Sequence, residues 1–280
     1  MGNLLAAGMY RLARSKILYA GMLIMAATEV LFLFNVSDSA ITEGMESQNF
    51  FGFTEMLPFV SAAFCGLLLG ADYPNGTLRS QLICGHTKAQ IYLSNLVLSL
   101  FAGICFYGAS IATGLVYGLA DGRVFTSSAG ELFGYFLCSL LTTLASASLA
   151  AMIATLSSNR SLGIVANLLL AFVLLCCAGF LSTPMDQAET IPQFMPQELE
   201  NGITIYTADP SLPLVPNPDY PQGIYRAILE FFWNFLPSGQ GMQLASAQVE
   251  SFWVLGLFSV VFLAVATLLG LAVFQRKDIK

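Results

Sequence analysis

Few residues in this chain of 280 could do chemistry. His86 is the single histidine, and the six cysteines include no CxxC pair, so the sequence offers no plausible zinc site. Every lysine lacks the preceding glycine that a Walker A loop requires, which excludes ATP binding through a P-loop. No serine has a second histidine or a nearby carboxylate to activate it. We therefore predict a chain that is not an enzyme and that holds no metal or cofactor.

One carboxylate stands out by its position. Glu29 lies roughly 18 Å along the first apolar stretch, at a helical rise of 1.5 Å per residue. An ionised carboxylate near the bilayer centre costs about 2.5 to 3.5 kcal/mol, so it should face protein or water. We interpret Glu29 as a contact in a substrate pathway or between subunits. The alternative is a glutamate that reaches the lipid headgroups or stays protonated against a neighbouring helix.

Composition places these residues in a membrane protein. The chain is 56% hydrophobic and only 10% charged, whereas a soluble domain carries about 25% charged residues. Its mean hydropathy is +0.72. The net charge is -6 and there is no basic tract, so nucleic acid is excluded as a partner and the lipid bilayer is expected instead.

Six apolar stretches are long enough to cross a bilayer, which takes about 20 residues of helix. They are residues 17–36, 50–71, 91–119, 131–156, 161–183 and 251–274. Thr87 with Gln90 and Ser128 with Glu131 have the spacing of capping boxes, which predicts helix starts before the third and fourth stretches. The sequence therefore predicts an all-α integral membrane fold with six transmembrane helices.

Basic residues are distributed unevenly between the two sides of such a fold. Nine would lie on one side: Arg11, Arg14, Lys16, Arg79, Lys88, Arg160, Arg276, Lys277 and Lys280. Only Arg123 and Arg226 would lie on the other. Because cytoplasmic loops carry the excess of Lys and Arg, both termini are predicted to be cytoplasmic.

Two segments on the basic side have helical patterns. Residues 1–16 read as an amphipathic elbow helix in the membrane interface, or as an ordinary basic tail. Residues 72–90 contain a Pro-Asn-Gly turn, after which Thr77 is predicted to cap a short helix that ends at Gly85. Leu78, Leu82 and Ile83 are expected to share one face of that helix. The segment is either a plain connection or a docking surface for another protein.

The long polar stretch, residues 184–250, lies on the opposite side. Residues 182–250 hold nine of the eleven prolines. The second half of the stretch has an apolar helical face, which the run Leu236-Pro237-Ser238-Gly239 then breaks. This pattern indicates an interfacial or re-entrant helix leading into the sixth stretch, or a surface helix on a small external domain.

The order of these parts resembles the ABC-2 type permeases. Local sequence supports the resemblance: DYPNGTLR at 72–79, GHT at 85–87 and IYLSN at 91–95 are similar to the "E-Y-x-x-G-T-h-R... G-x-[ST]" stretch of bacterial members. LPSGQ at 236–240 and FQRKDIK at 274–280 are similar to pieces of the Firmicutes-like branch. Here Asp72 stands where the family has Glu, which keeps the charge and shortens the reach.

The resemblance implies a type V ABC exporter-like subunit in a bacterial plasma membrane. Its partners would be a separate ATP-binding cassette ATPase and a second permease, the same or a different chain. The short helix would be the coupling helix, and spans two and five would line much of the substrate route between the permeases. The residues implied in coupling are Asp72, Asn75, Gly76, Thr77, Leu78, Arg79, Leu82, Ile83, Gly85 and His86.

The expected cargo is hydrophobic or amphipathic, such as a peptide or a drug, with a weak preference for a cationic one. Apolar spans, few fixed charges and an acidic exterior favour that choice. Two other functions stay open. The chain could be a signalling or assembly subunit that transports nothing. It could also be an ion-coupled secondary transporter, although that class predicts several intramembrane charges and only Glu29 is clearly present.

Overall fold

The computed structural model describes residues 2–34, 45, 49–198, 204–208 and 212–277. Lys280 and the last two residues of the first predicted stretch lie outside these ranges. Within them, the helices are α1 Gly2–Ala13, α2 Lys16–Phe34, α3 Phe53–Leu68, α4 Thr77–Ile83, α5 Lys88–Ala120, α6 Ala129–Leu156, α7 Arg160–Met185, α8 Gly223–Phe235, α9 Pro237–Ala245 and α10 Phe252–Arg276. Helix α1 occupies the predicted elbow.

Five of the helices are long and apolar enough to cross a membrane within the described part of the chain: α2, α5, α6, α7 and α10. They match five of the six predicted stretches to within a few residues, and the chain is a multi-pass membrane protein. Both predicted capping boxes are present, with Thr87 and Gln90 at the start of α5 and Ser128 and Glu131 at the start of α6. Each box satisfies backbone N–H groups that a helix start leaves unpaired.

The second predicted stretch is shorter than expected, so six full spans are not confirmed. Helix α3 has 16 residues, or roughly 24 Å at 1.5 Å per residue, against a hydrocarbon core of about 30 Å. A turn precedes it, in which the Gly52 N–H donates to the Asn49 carbonyl at 2.8 Å. Residues 69–76 form turns after it. Phe50, Phe51 and Leu69 lie in the flanking turns and are apolar, so the run looked longer than its helix.

Four short strands in the 184–250 segment were not predicted. Strand β1 Thr190–Ile191 pairs antiparallel with β4 Val215–Pro216, and β2 Phe194–Glu198 pairs antiparallel with β3 Thr204–Ala208. The prolines of this segment obscured the alternating pattern from which strands are predicted. The described part of the chain is therefore helical, as predicted, with two small antiparallel two-stranded ladders in this segment.

Aromatic rings fill the core at one end of the bundle, which we call the aromatic end. Phe51 stacks on Tyr135 with ring centroids 5.4 Å apart, and Tyr135 meets Phe252 edge to face at 4.8 Å. Phe50 packs edge to face on Phe125 at 5.2 Å. These rings come from the chain before α3, the loop before α6, and α6 and α10 themselves, so the cluster ties four parts of the chain together.

The other end brings together the start of α5 and the ends of α6 and α10, and we call it the basic end. Lys88 Nζ donates to the carbonyls of Gln275 at 3.1 Å and Lys277 at 2.7 Å. Lys277 Nζ donates to the Leu156 carbonyl and lies 4.2 Å from the centroid of the Tyr73 ring. The two lysines thus satisfy carbonyls that helix ends leave without partners.

Candidate functional site

The short helix α4 lies at the basic end, between α3 and α5. Gly76 precedes it with φ of 68°, and Gly85 follows it with φ of 87°, a left-handed conformation that glycine adopts without strain. Thr77 is the first helical residue and Gly76 is the N-cap, with no side-chain hydrogen bond. The predicted Thr77 cap is therefore wrong by one position, while the predicted end at Gly85 is correct.

The apolar residues of α4 do not share one face. Leu78 is 2% exposed, Leu82 is half-buried, and Ile83 is 86% exposed. At about 100° per residue, Ile83 lies roughly 140° around the helix from Leu78, whereas Leu82 lies only about 40° away. The prediction that the three residues share one face is therefore wrong. Leu78 and Leu82 point into the chain, and Ile83 points out with Arg79.

Leu78 anchors α4 to the rest of the bundle. It packs in a buried cluster with Leu4 of α1, Ile91 and Tyr92 of α5, and Phe274 of α10. A helix of seven residues is not stable alone, because isolated helices below about 12 residues are marginal in water. Burial of Leu78 therefore fixes both the existence and the orientation of α4, and leaves its opposite face free.

Asp72 is buried against the elbow instead of facing outward. Arg11 of α1 reaches both of its carboxylate oxygens, Oδ1 through Nη1 and Oδ2 through Nη2 at 3.3 Å. Burial raises the pKa of the Asp72 carboxyl, and the hydrogen bond and charge of Arg11 oppose that rise. The Asp72 carbonyl also accepts the Leu78 N–H at 3.4 Å. The ion pair therefore holds the elbow to the loop that carries α4.

The other predicted coupling residues surround α4. Asn75, Arg79 and Gly85 are exposed, and Gly76 and His86 are half-buried. The His86 N–H donates to the Gln81 carbonyl at 3.2 Å, which closes the end of the helix. An outward face of small, polar and apolar groups results. Sequence reasoning missed the partner of Asp72, because a contact 61 positions away leaves no local signal.

Glu29 lies inside the chain, on the side of α2 that faces α5. It has no exposed surface, and neither of its carboxylate oxygens has a hydrogen-bond partner in the described part of the chain. A Cβ on Gly114 of α5 would lie 2.7 Å from Oε1, so glycine is what lets the carboxyl group approach. Its roles in a pathway or subunit contact stay predictions, and no surface of Glu29 is available to another chain in this conformation.

The 184–250 segment contains a helix broken at Leu236, as predicted. Helix α8 buries none of its residues and presents the rings of Phe231 and Phe235 to Phe258 of α10. Helix α9, in contrast, is almost entirely buried and packs on α3, α6 and α7. The break thus separates the exposed helix α8 from helix α9, which lies among α3, α6 and α7.

Gln240 holds α9 in place. Its Oε1 accepts hydrogen bonds from Thr142 of α6 at 3.1 Å and Ser259 of α10 at 2.8 Å. Its Nε2 donates to the Asn234 carbonyl at 2.7 Å, near the end of α8. The side chain has no exposed surface and uses both ends of its amide. Sequence reasoning did not single out this residue, although a glutamine between two glycines after a helix break was a usable signal.

All six cysteines are free, and only Cys84 and Cys176 are exposed. Among the residues that the structure describes, no three His, Cys, Asp or Glu side chains gather as metal ligands.

Comparison with protein families shows which family the chain resembles. A family model described as "ABC-2 family transporter protein" matches residues 4–178, which extend from the elbow through most of α7. The match therefore includes α4 and the Arg11–Asp72 pair and stops short of the broken helix. No curated protein matches the chain.

Proposed function

The chain belongs to the ABC-2 transporter family, and from that membership we propose that it is the permease subunit of an ATP-driven exporter. A separate ATP-binding subunit would hydrolyse ATP and would dock on α4. A second permease, the same or a different chain, would complete the transporter. The cargo would be hydrophobic or amphipathic, and the setting a bacterial plasma membrane with both termini in the cytoplasm.

The observation that carries the docking proposal is the two-faced character of α4. Leu78 and the Arg11–Asp72 pair fix the helix to the bundle, and the opposite face carries the exposed Ile83. An apolar side chain at 86% exposure beside Arg79 is suited to fill a pocket in another protein. Because Leu78 of α4 packs in one cluster with residues of α1, α5 and α10, a push on the outer face of α4 would reach three helices.

The exposed apolar surface of the long helix α7 suits contact with a second permease. Its exposed large apolar side chains are Leu162, Val165, Leu169, Phe172, Val173 and Phe180. An apolar surface of this length suits either lipid or a second membrane chain. Together with α3, which packs against it, α7 would line the route between the two permeases.

Native Cys84 gives a direct test of docking. It is exposed and follows Ile83 at the end of α4. We expect a benzophenone attached to Cys84 to crosslink to the ATP-binding subunit when both chains are expressed together. Cys176 is also exposed but lies within α7, so a Cys84→Ser variant labelled at Cys176 is the matched control. Crosslinking that persists in the Cys84→Ser variant, or that never occurs in the wild type, would contradict the proposal.

An ion-coupled transporter remains the second candidate, and Glu29 is the observation that favours it. A buried carboxyl without a hydrogen-bond partner among the described residues is where such a transporter would carry a proton or cation. Glu29→Gln keeps the shape of the side chain and removes its titration. Export that survives Glu29→Gln and still requires ATP would exclude ion coupling through Glu29. Export that an imposed proton gradient drives in the wild type, and that Glu29→Gln abolishes, would support ion coupling.

A further inference from the structure

A groove runs along the outside of the bundle between α6 and α10, starting at the aromatic end, and we call it the back groove. Its volume is about 690 Å³, and its described lining residues all belong to α6, to α10 and to the linker before α10. It therefore lies apart from α3 and α7. On α6 it extends from Gly130 to Leu141, roughly 16 Å at 1.5 Å per residue. That length is close to half of a hydrocarbon core of about 30 Å, so the groove follows one leaflet of a bilayer.

Two glycines keep the back groove open. An added Cβ on Gly130 would meet no atom within 4 Å, and one on Gly256 would come no closer than 3.6 Å, to Leu141 Cδ1. Packing within the chain therefore does not require glycine at either position. Gly134 differs, because an added Cβ there would lie 2.7 Å from the ring of Phe252. A larger side chain at position 130 would instead occupy space that the groove leaves free.

The walls of the back groove are apolar except at the aromatic end. Leu137 and Leu257 line its length, and Trp253, which is 90% exposed, lies near its mouth. Tryptophan is enriched at the level of the lipid headgroups. Glu250 is the one charged residue among the thirteen that line the groove, and it forms no ion pair with any residue that the structure describes. The carboxylate therefore lies where a lipid with its chain in the groove would place its headgroup.

A polar pocket of about 670 Å³ adjoins this end of the back groove, and Glu250 lines both. Asp186 and Glu230 add two carboxylates to the pocket. Arg226 is the only cation among its described lining residues, and it already donates to Glu230 at 2.7 Å and to the Pro184 carbonyl at 3.0 Å. Three carboxylates and one paired guanidinium leave the mouth of the groove negative, so it attracts an ammonium group and repels an anionic headgroup.

We propose that the back groove binds an acyl chain of a membrane lipid whose headgroup carries a primary ammonium group. The chain lies along the apolar walls between α6 and α10, and the ammonium donates to the carboxylate of Glu250. A primary ammonium has hydrogens to donate and a charge opposite to that of its acceptor, which makes such a hydrogen bond stronger than a neutral one. The inference goes beyond the proposed function, because the groove is present whatever the permease carries.

Quenching of tryptophan fluorescence by brominated lipids tests this assignment. The chain has two tryptophans, and only Trp253 lines the back groove, so Trp233→Phe leaves a single reporter there. The full chain is placed in phosphatidylcholine nanodiscs that contain either phosphatidylethanolamine or phosphatidylglycerol with brominated chains, at equal mole fractions. We expect phosphatidylethanolamine to bind about threefold more tightly than phosphatidylglycerol, the effect of one exposed ion pair. Equal affinities would overturn the inference. So would the absence of quenching by either lipid, because another protein chain would then cover the groove.

A charge substitution locates the headgroup. Glu250→Gln keeps the shape of the side chain and removes its charge, so the preference for phosphatidylethanolamine should disappear. Glu131→Gln is the matched control at the same end of the bundle. The Glu131 carboxylate does not line the groove and already accepts the Ser128 N–H at 3.0 Å, and glutamine also completes a capping box. The preference should therefore be unchanged in this control. A preference that persists in Glu250→Gln would overturn the inference.

A filling substitution locates the acyl chain. Gly130→Leu adds a side chain where the back groove is open, so the affinities for the two brominated lipids should become equal. Gly108→Leu on α5 is the matched control, because an added Cβ there also meets no atom within 4 Å and the residue does not line the groove. This control should keep the threefold preference. Gly130→Leu with the full preference for phosphatidylethanolamine would overturn the inference.

Discussion

The basic end and the region around helix α9 are held together by different chemistry. At the basic end, α4 and the elbow are joined by the Arg11–Asp72 ion pair, and lysines satisfy the carbonyls at helix ends. At the inserted helix α9, the contacts are neutral: Gln240 joins α6, α8 and α10 through hydroxyl and amide groups. The Arg11–Asp72 pair and the Gln240–Thr142 hydrogen bond each join segments distant in sequence.

This difference follows from where charge can be tolerated. An ion pair near the end of the helices is close to water, so its desolvation is partial, and long cationic side chains reach the surface. Deeper in a membrane protein a charge is expensive, and neutral hydrogen bonds take over, each worth roughly 0.6 kcal/mol on average. We therefore expect the basic end to be rigid and the α9 region to be more easily moved.

The largest effect should come from Leu78→Asp at the basic end. A carboxylate in the cluster with Phe274 and Tyr92 would be buried without a partner, at a cost of about 4 kcal/mol in the free energy of unfolding. SDS titration in mixed micelles measures this loss. Ile83→Asp, on the exposed face of the same helix, is the control and should change stability by less than about 0.5 kcal/mol. Equal losses would contradict the two-faced description of α4.

Breaking the ion pair should have the next largest effect. Arg11→Met leaves the buried Asp72 without its partner and should lower the free energy of unfolding by about 2 to 3 kcal/mol. Asp72→Asn added to Arg11→Met should recover much of that loss, since no unpaired charge then remains. A double-mutant cycle with a coupling energy near zero would show that the pair does not hold the elbow.

In the α9 region, Gln240→Leu should lower the free energy of unfolding by about 2 kcal/mol, because three modest hydrogen bonds are lost and two hydroxyls lose an acceptor. Its local effect should be larger than its global one. Hydrogen exchange should show faster exchange in α9 with α4 unchanged. Gln248→Leu, at an exposed position after α9, serves as the control. Protection of α9 that survives Gln240→Leu would contradict the role of this residue.

The smallest effect should appear in the dependence on pH. Burial raises the pKa of Asp72 above its ordinary value of 3.8, so the folded protein binds more protons than the unfolded chain between that value and the raised one. Stability should therefore fall as pH rises through this window. Asp72→Asn should remove that slope, and Arg11→Met should steepen it. Melting temperatures between about pH 4 and about pH 7 would show whether the slopes rank in this order.

The sequence predicts the long helices well, because twenty or more apolar residues have few other stable structures in a bilayer. It also locates α4, since Gly76 and Gly85 mark its ends by the left-handed conformations that they adopt. It overestimates α3, where turn residues are as apolar as the helix itself. The bounds of a helix can therefore be predicted from the sequence where residues such as Gly76 and Gly85 mark its ends.

The sites were less predictable than the helices. The residues predicted to take part in coupling lie together around α4, but the pattern put Leu78, Leu82 and Ile83 on one face, whereas Leu78 is buried and Ile83 is exposed. Whether a side chain points inward depends on Leu4, Arg11 and Phe274, which pack from distant parts of the chain. Gln240 escaped for the same reason, because its hydrogen bonds join three helices that meet only in the fold.

The central claim is that the exposed face of α4 binds the ATP-binding subunit, and Ile83→Asp tests it most directly. The permease is purified with its ATP-binding subunit, and both co-purification and stimulated ATP hydrolysis in lipid are measured. Val124→Asp, an exposed apolar position at the aromatic end, is the matched control. We expect Ile83→Asp to lose both co-purification and stimulated ATP hydrolysis while the permease keeps its stability. We expect Val124→Asp to keep co-purification and stimulation. Full binding and stimulation by the Ile83→Asp variant would contradict the claim.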